Sequence, residues 1–104
     1  MTNLLSDAEI TESLGRLPGW RRDGDEIRAR FRAEDFVAAI GLVDEVALRA
    51  EAAGHHPDID IRWNTVSFVL STHSDGGLTA KDMSLASEIS ALSAAAGAVA
   101  VDVG

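Results

Sequence analysis

The chain has 104 residues, 46% of them hydrophobic and 25% charged, a composition that suits one packed domain and leaves no room for a second core. It contains no cysteine, which excludes disulfides, thiolate metal sites and cysteine nucleophiles. A formal charge of -8, from 17 acidic against 9 basic side chains, repels phosphate backbones and anionic lipid surfaces, so neither nucleic acid nor a membrane is expected as a direct partner.

The opening MTNLLSDAEI has neither the basic segment nor the apolar run of a secretory signal, and a cytoplasmic location is expected. Ser6 followed by Glu9 has capping-box spacing and opens a short helix to Leu14, which Gly15 and Pro18 stop. Residues 20–22 and 26–32 flank an Asp23-Gly24 turn, and Ile27, Ala29 and Phe31 alternate with charged neighbours, which predicts a hairpin. Five of the nine positive charges, Arg21, Arg22, Arg28, Arg30 and Arg32, gather there; interleaved with Asp23, Asp25 and Glu26, they read as a solvated face.

From about residue 34 to 53 the period becomes helical, with Phe36, Ile40, Val43, Ala47 and Ala50 as the expected inner stripe; Gly54 and Pro57 end the helix. Ile59, Ile61 and Trp63, then Val66, Phe68 and Leu70, alternate about Asn64 as a second hairpin. After the Gly76-Gly77 loop, Thr79 with Asp82 three residues on caps a third helix, Leu78 packs on Met83, and Met83, Ala86, Ile89 and Leu92 or Ser93 form its inner face. The closing AAAGAVAVDVG is expected to fray. The order α-β-β-α-β-β-α over residues 1–104 predicts a single α+β domain: a four-stranded antiparallel sheet with three helices on one face, in two layers.

All three histidines, His55, His56 and His73, fall within 19 residues. Imidazole exchanges protons near neutrality, so such a cluster suits general acid-base chemistry. Glu51 sits one turn before His55 at a helix C-terminus, where the dipole disfavours an anion, and is expected to accept a hydrogen bond from His55. His73, in step with Ser67, Val69 and Ser71, is expected to point away from the helices, toward the same side as Asp58, Asp60 and Arg62. A metal is not expected: adjacent His55 and His56 diverge, no HxH or HxxxH pair occurs, and Pro57 stiffens the turn. Ser71 and Ser74 lack a nucleophile-elbow context, and the SDGGLT turn is a weak phosphate signal.

These residues carry a resemblance. Within EAAGHHPDIDIRWNTVSFVLSTHSDGGLTAKD the spacing runs Glu51, three residues, His55-His56-Pro57, five residues, Trp63, nine residues, His73, eight residues, Asp82, and it resembles the pterin-4a-carbinolamine dehydratases. An animal member of that family is also known as a dimerisation cofactor of a homeodomain transcription factor. Gly19-Trp20 and the element order extend the likeness over about residues 6 to 92. The resemblance implies dehydration of 4a-hydroxytetrahydropterin to quinonoid dihydropterin in tetrahydrobiopterin recycling, with a pterin as the small-molecule substrate and no cofactor or metal. It further implies assembly as a homodimer or homotetramer. Carried across, it makes His55, His56 and His73 the acid-base and substrate-contacting groups, supported by Glu51 and Asp82, with Pro57, Trp63, Thr72, Ser74 and Asp75 around the pterin. The alternative on the same fold is a non-catalytic interaction protein, a transcription coactivator or an enzyme assembly factor.

Overall fold

Ser6 accepts from the Glu9 backbone N–H while the Glu9 carboxylate accepts from the Ser6 N–H, so the first helix begins where the capping box places it, α1 (Asp7–Leu14). The backbone bond from Ser6 holds the Glu9 carboxyl below its ordinary value. The computed structural model describes residues 3–102. Beyond α1 the order is β1 (Arg21–Asp23), β2 (Glu26–Arg32), α2 (Phe36–Ala53), β3 (Asp58–Arg62), β4 (Thr65–Leu70), a 3-10 turn at His73–Asp75, α3 (Ala80–Ala95) and β5 (Val99–Val101).

All pairings are antiparallel, in the order β1-β2-β4-β3. Ile27, Ala29 and Phe31 of β2 and Val66, Phe68 and Leu70 of β4 are buried, and their registered partners share one side of the sheet. Against that side lie Ile10 of α1, Leu42 and Val46 of α2, and Leu85 and Ile89 of α3 in one core cluster. The expected α+β arrangement is therefore present.

The sheet has a fifth strand. Val99, Ala100 and Val101 pair with Arg32, Phe31 and Arg30 where the tail was expected to fray. β1 covers only residues 26 to 28 of β2, leaving the rest of that edge with unpaired N–H and C=O groups. Gly97, at φ 74°, turns the chain off α3 so that the tail fills the gap.

Two sequence expectations about packing are corrected. The inner stripe of α2 is Ala39, Leu42, Val46 and Ala50; of the expected stripe only Ala50 is buried, Val43 is partly so, and Phe36, Ile40 and Ala47 face outward. The helix is apolar on two sides, so a 3.6-residue period alone does not choose between them, and Ala39 and Ala50 allow the closer approach to the core. The second correction concerns the aromatic residues at the strand ends. Trp20 lies before β1 and is buried, its Nε1–H donating to Ser90 Oγ on α3 at 2.8 Å. Trp63 leaves β3 to form the hairpin turn at φ 53°, a left-handed conformation that is strained for a side chain of this size. Asn64 clamps that turn, with its Nδ2–H donating to the Ala33 carbonyl at 2.9 Å and its own carbonyl accepting the Ala33 N–H at 2.8 Å.

The choice of α2 face is testable by urea unfolding. Leu42→Ala is expected to cost about 2–5 kcal/mol as a cavity in the core. Val37→Ala, at a position 78% exposed, is expected to stay within about 0.5 kcal/mol of the parent.

Candidate active site

The last turn of α2 sets the first histidine. Gly54 takes the left-handed conformation, φ 61°, its N–H returning to the Glu51 carbonyl at 3.2 Å, while the His55 N–H returns to the Ala50 carbonyl at 3.1 Å. This pair of bonds is a Schellman closure, and it leaves His55 outside the helix with its backbone fixed. His55 is buried, and its Nε2 lies 2.6 Å from Oδ1 of Asp82, which has no solvent exposure.

Asp82 is the third residue of α3, and its other oxygen is already occupied. Oδ2 accepts the Thr79 N–H at 2.9 Å and the Thr72 hydroxyl at 2.8 Å. Because the Thr72 proton goes to Asp82, the Thr79 hydroxyl donates to Thr72 Oγ1 at 2.8 Å and accepts the Lys81 N–H at 3.3 Å. With Oδ2 filled by donors, Oδ1 takes the proton on His55 Nε2. That leaves Nδ1 as the ring atom open to a ligand. A buried carboxylate costs several kcal/mol unless its lone pairs are met, and here donors meet both oxygens.

His56 turns outward. Its Nε2 lies 2.5 Å from Oε2 of Glu51, with both side chains more than half exposed. The expected Glu51–His55 bond is therefore replaced by two separate couples, His55 with Asp82 and His56 with Glu51. The i,i+4 spacing of Glu51 and His55 applies only within a helix, and the Gly54 reversal ends the helix before residue 55.

His73 belongs to the exposed turn that follows β4. The strand stops at Leu70, so the alternation expected to aim His73 away from the helices does not reach it. Thr72 instead closes a loop, its N–H donating to the Gly77 carbonyl at 2.9 Å and its carbonyl accepting from Asp75 and Gly76 at 3.0 Å each. The residue before His73 is thus tied to the carboxylate that holds His55. The register Asp58↔Val69 sets the residues before β3 and those after β4 at one end of the hairpin. Pro57, partly buried, leads His56 into β3, and exposed Ser74 donates to its neighbour Asp75 at 3.3 Å.

Trp63 is not brought to this end. It lies five positions beyond Asp58, about 17 Å of strand, and its side chain is 73% exposed at the opposite tip. The hydroxyl relay from Thr79 through Thr72 to Asp82 was missed in the sequence. Capping spacing identifies Thr79 as a helix start, but no local signal shows that Thr72, seven residues earlier, folds back onto it.

Unequal burial of the two couples makes their loss unequal. Asp82→Ala, which strands a buried imidazole, the Thr72 hydroxyl and the Thr79 N–H, is expected to cost about 3–5 kcal/mol in urea unfolding. Glu51→Ala removes an exposed pair and is expected to cost less than about 1 kcal/mol.

Comparisons with known proteins give the family. The family model described as Pterin 4 alpha carbinolamine dehydratase matches residues 3–92. A relative from Nocardia farcinica, named as a pterin-4-alpha-carbinolamine dehydratase, is 62% identical over 91 residues, covering 88% of this chain and 96% of its own. One of the same name from Roseiflexus castenholzii is 60% identical over 89 residues, covering 86% and 96%. Among solved structures, a transcriptional coactivator/pterin dehydratase from Brucella melitensis superposes with a TM-score of 0.84 at 35% identity, covering 86% of this chain and 98% of that one. A pterin dehydratase-like RuBisCO assembly factor of the alpha-carboxysome shares the fold, with a TM-score of 0.61 at 23% identity over 71% and 88%. With its histidine–carboxylate couples in place and the family model spanning most of its length, the chain belongs to the pterin-4-alpha-carbinolamine dehydratase family.

Proposed function

We propose that the chain dehydrates 4a-hydroxytetrahydropterin to quinonoid dihydropterin and water, as a step in tetrahydrobiopterin recycling. The observation that carries this reading is the buried His55–Asp82 couple, which holds one imidazole in a single orientation and tautomer with Nδ1 left for a substrate.

The reaction needs little else. A carbinolamine bears its leaving hydroxyl on the carbon next to a ring N–H. A base removes that proton, the nitrogen electron pair forms the C=N bond, the C–O bond breaks, and an acid protonates the departing oxygen to give water. His55 and His73 divide these two roles, while His56, paired with Glu51, holds the pterin. Asp82 and Glu51 act through the histidines as positioning residues. Pro57, Thr72, Ser74 and Asp75 shape the rim, Thr72 from behind, since its hydroxyl is committed to Asp82. The distance from Trp63 to this end of the hairpin speaks against the substrate contact that the resemblance implied for it.

The same reading includes a cytoplasmic location and assembly as a homodimer or homotetramer. No helix among the described residues is long and apolar enough to cross a membrane. Outward-facing Phe36, Val37, Ile40 and Leu48 on α2 favour assembly, and they are also the observation behind a second reading, a non-catalytic interaction protein on this fold.

Turnover of freshly generated carbinolamine separates the two. His55→Ala and His73→Ala are each expected to lower kcat about 10²- to 10⁴-fold with circular dichroism unchanged, and His56→Ala to raise KM more than it lowers kcat. Chelator is expected to leave the rate unchanged. Full activity in both the His55 and His73 variants would overturn the division of roles, and no activity in the parent chain would favour the interaction protein.

A further inference from the structure

The side of the sheet turned away from the helices carries its polar groups in rows. Arg30, Ser67 and Asp60 stand abreast across β2, β4 and β3, and Arg32, Thr65 and Arg62 form the next row. Between the rows lies a cavity of about 450 Å3 lined by Arg30, Asp60, Arg62, Thr65 and Ser67, within the ~300–1,000 Å3 range of small-molecule sites. None of these residues takes part in the chemistry proposed for the histidines.

The charge there opposes that of the chain as a whole. One row further along β2, Arg28 is neutralised by Asp23 and Glu26. Arg30 and Arg32 have no carboxylate within ion-pair distance among the described residues. Arg30 gives only its Nε–H, to Ser67 Oγ at 3.3 Å, and the rest of its five-donor fork is unspent. Arg62 shares Asp60 at 3.1 Å in the open, where water and salt weaken the pair. Two guanidinium groups therefore line the cavity with one carboxylate, and Arg32 stands in the row beside it, in a chain whose net charge is -8. Arg30 and Arg32 on β2 and Arg62 on β3 give this face an excess of positive charge against the sign of the chain as a whole, and that local field favours an anion.

The geometry points to a binding site for a phosphate group on this open face, held between Arg30 and Arg62 above Ser67. β2 and β3 lie ~4.8 Å to either side of β4, close enough for two arginine side chains to reach a common ligand over the middle strand. The Ser67 hydroxyl, which accepts from Arg30, keeps its own proton for that ligand. Two guanidinium forks offer more N–H groups than the two oxygens of a carboxylate can accept, whereas a phosphate has the oxygens and the charge to use them.

Titration calorimetry of the full chain at low ionic strength, with inorganic pyrophosphate as the probe and succinate as the carboxylate control, tests this. Saturable binding at one site is expected, weakened about tenfold or more by Arg30→Gln and by Arg62→Gln and less by Arg30→Lys, with succinate at least about tenfold weaker. His55→Ala is expected to leave the affinity unchanged, because the histidines lie at the other end of the β3–β4 hairpin. Absence of saturable binding, full affinity in the Arg30→Gln/Arg62→Gln double variant, succinate binding as tightly as pyrophosphate, or loss of binding in His55→Ala would each overturn the proposal.

Discussion

A carboxylate sealed from water must find donors for both of its oxygens, and Asp82 finds them on three separate stretches of chain. His55 comes from the end of α2, Thr72 from the end of β4, and the Thr79 N–H from the start of α3. One residue therefore ties the end of α2 and the end of β4 to the start of its own helix. The same side chain completes the capping box of α3, so the bond that starts the helix also orients the imidazole. Fold and candidate site are coupled at this point: a change that frees Asp82 releases the histidine and loosens the loop that carries His73.

Whatever depends on neighbours in sequence was legible. The capping boxes at Ser6/Glu9 and Thr79/Asp82 need only three-residue spacing, and both are present. The two hairpins follow from alternation in β2 and β4 and from the glycine at position 24, whose φ of 62° the first turn requires. Features set by the rest of the molecule were not legible. The inner face of α2 was misread because the helix is apolar on opposite sides and only the sheet decides which is covered. β5 was missed because its reason to form is a vacancy on β2 left by the shortness of β1.

The histidine partners show the same limit at closer range. Spacing and the resemblance pointed to all the members of the two couples, but the expected Glu51–His55 bond does not form, because a single left-handed residue at position 54 reverses the chain between Glu51 and His55. His55 then turns into the core toward Asp82, and His56 returns to Glu51 at the surface. A family resemblance names such residues without saying how they are wired. The wiring bears on mechanism, since a buried couple fixes a tautomer and an exposed one is open to competition from water.

The surfaces of the domain are also divided. The histidines gather at one end of the β3–β4 hairpin, α2 turns apolar side chains outward, and the open side of the sheet carries arginines. These regions are separate enough to be altered independently, a property of a small two-layer fold in which each face of the sheet is covered or exposed as a unit.

The claim on which the rest stands is that Asp82 fixes the proton of His55 on Nε2. Long-range proton–nitrogen correlation spectra of the imidazole, recorded at a pH where the ring is neutral, read this directly. The account predicts a protonated Nε2 and a lone pair on Nδ1 in the parent chain, with that preference lost in Asp82→Ala/Thr72→Val. A proton on Nδ1 in the parent, or the same tautomer in both proteins, would contradict it.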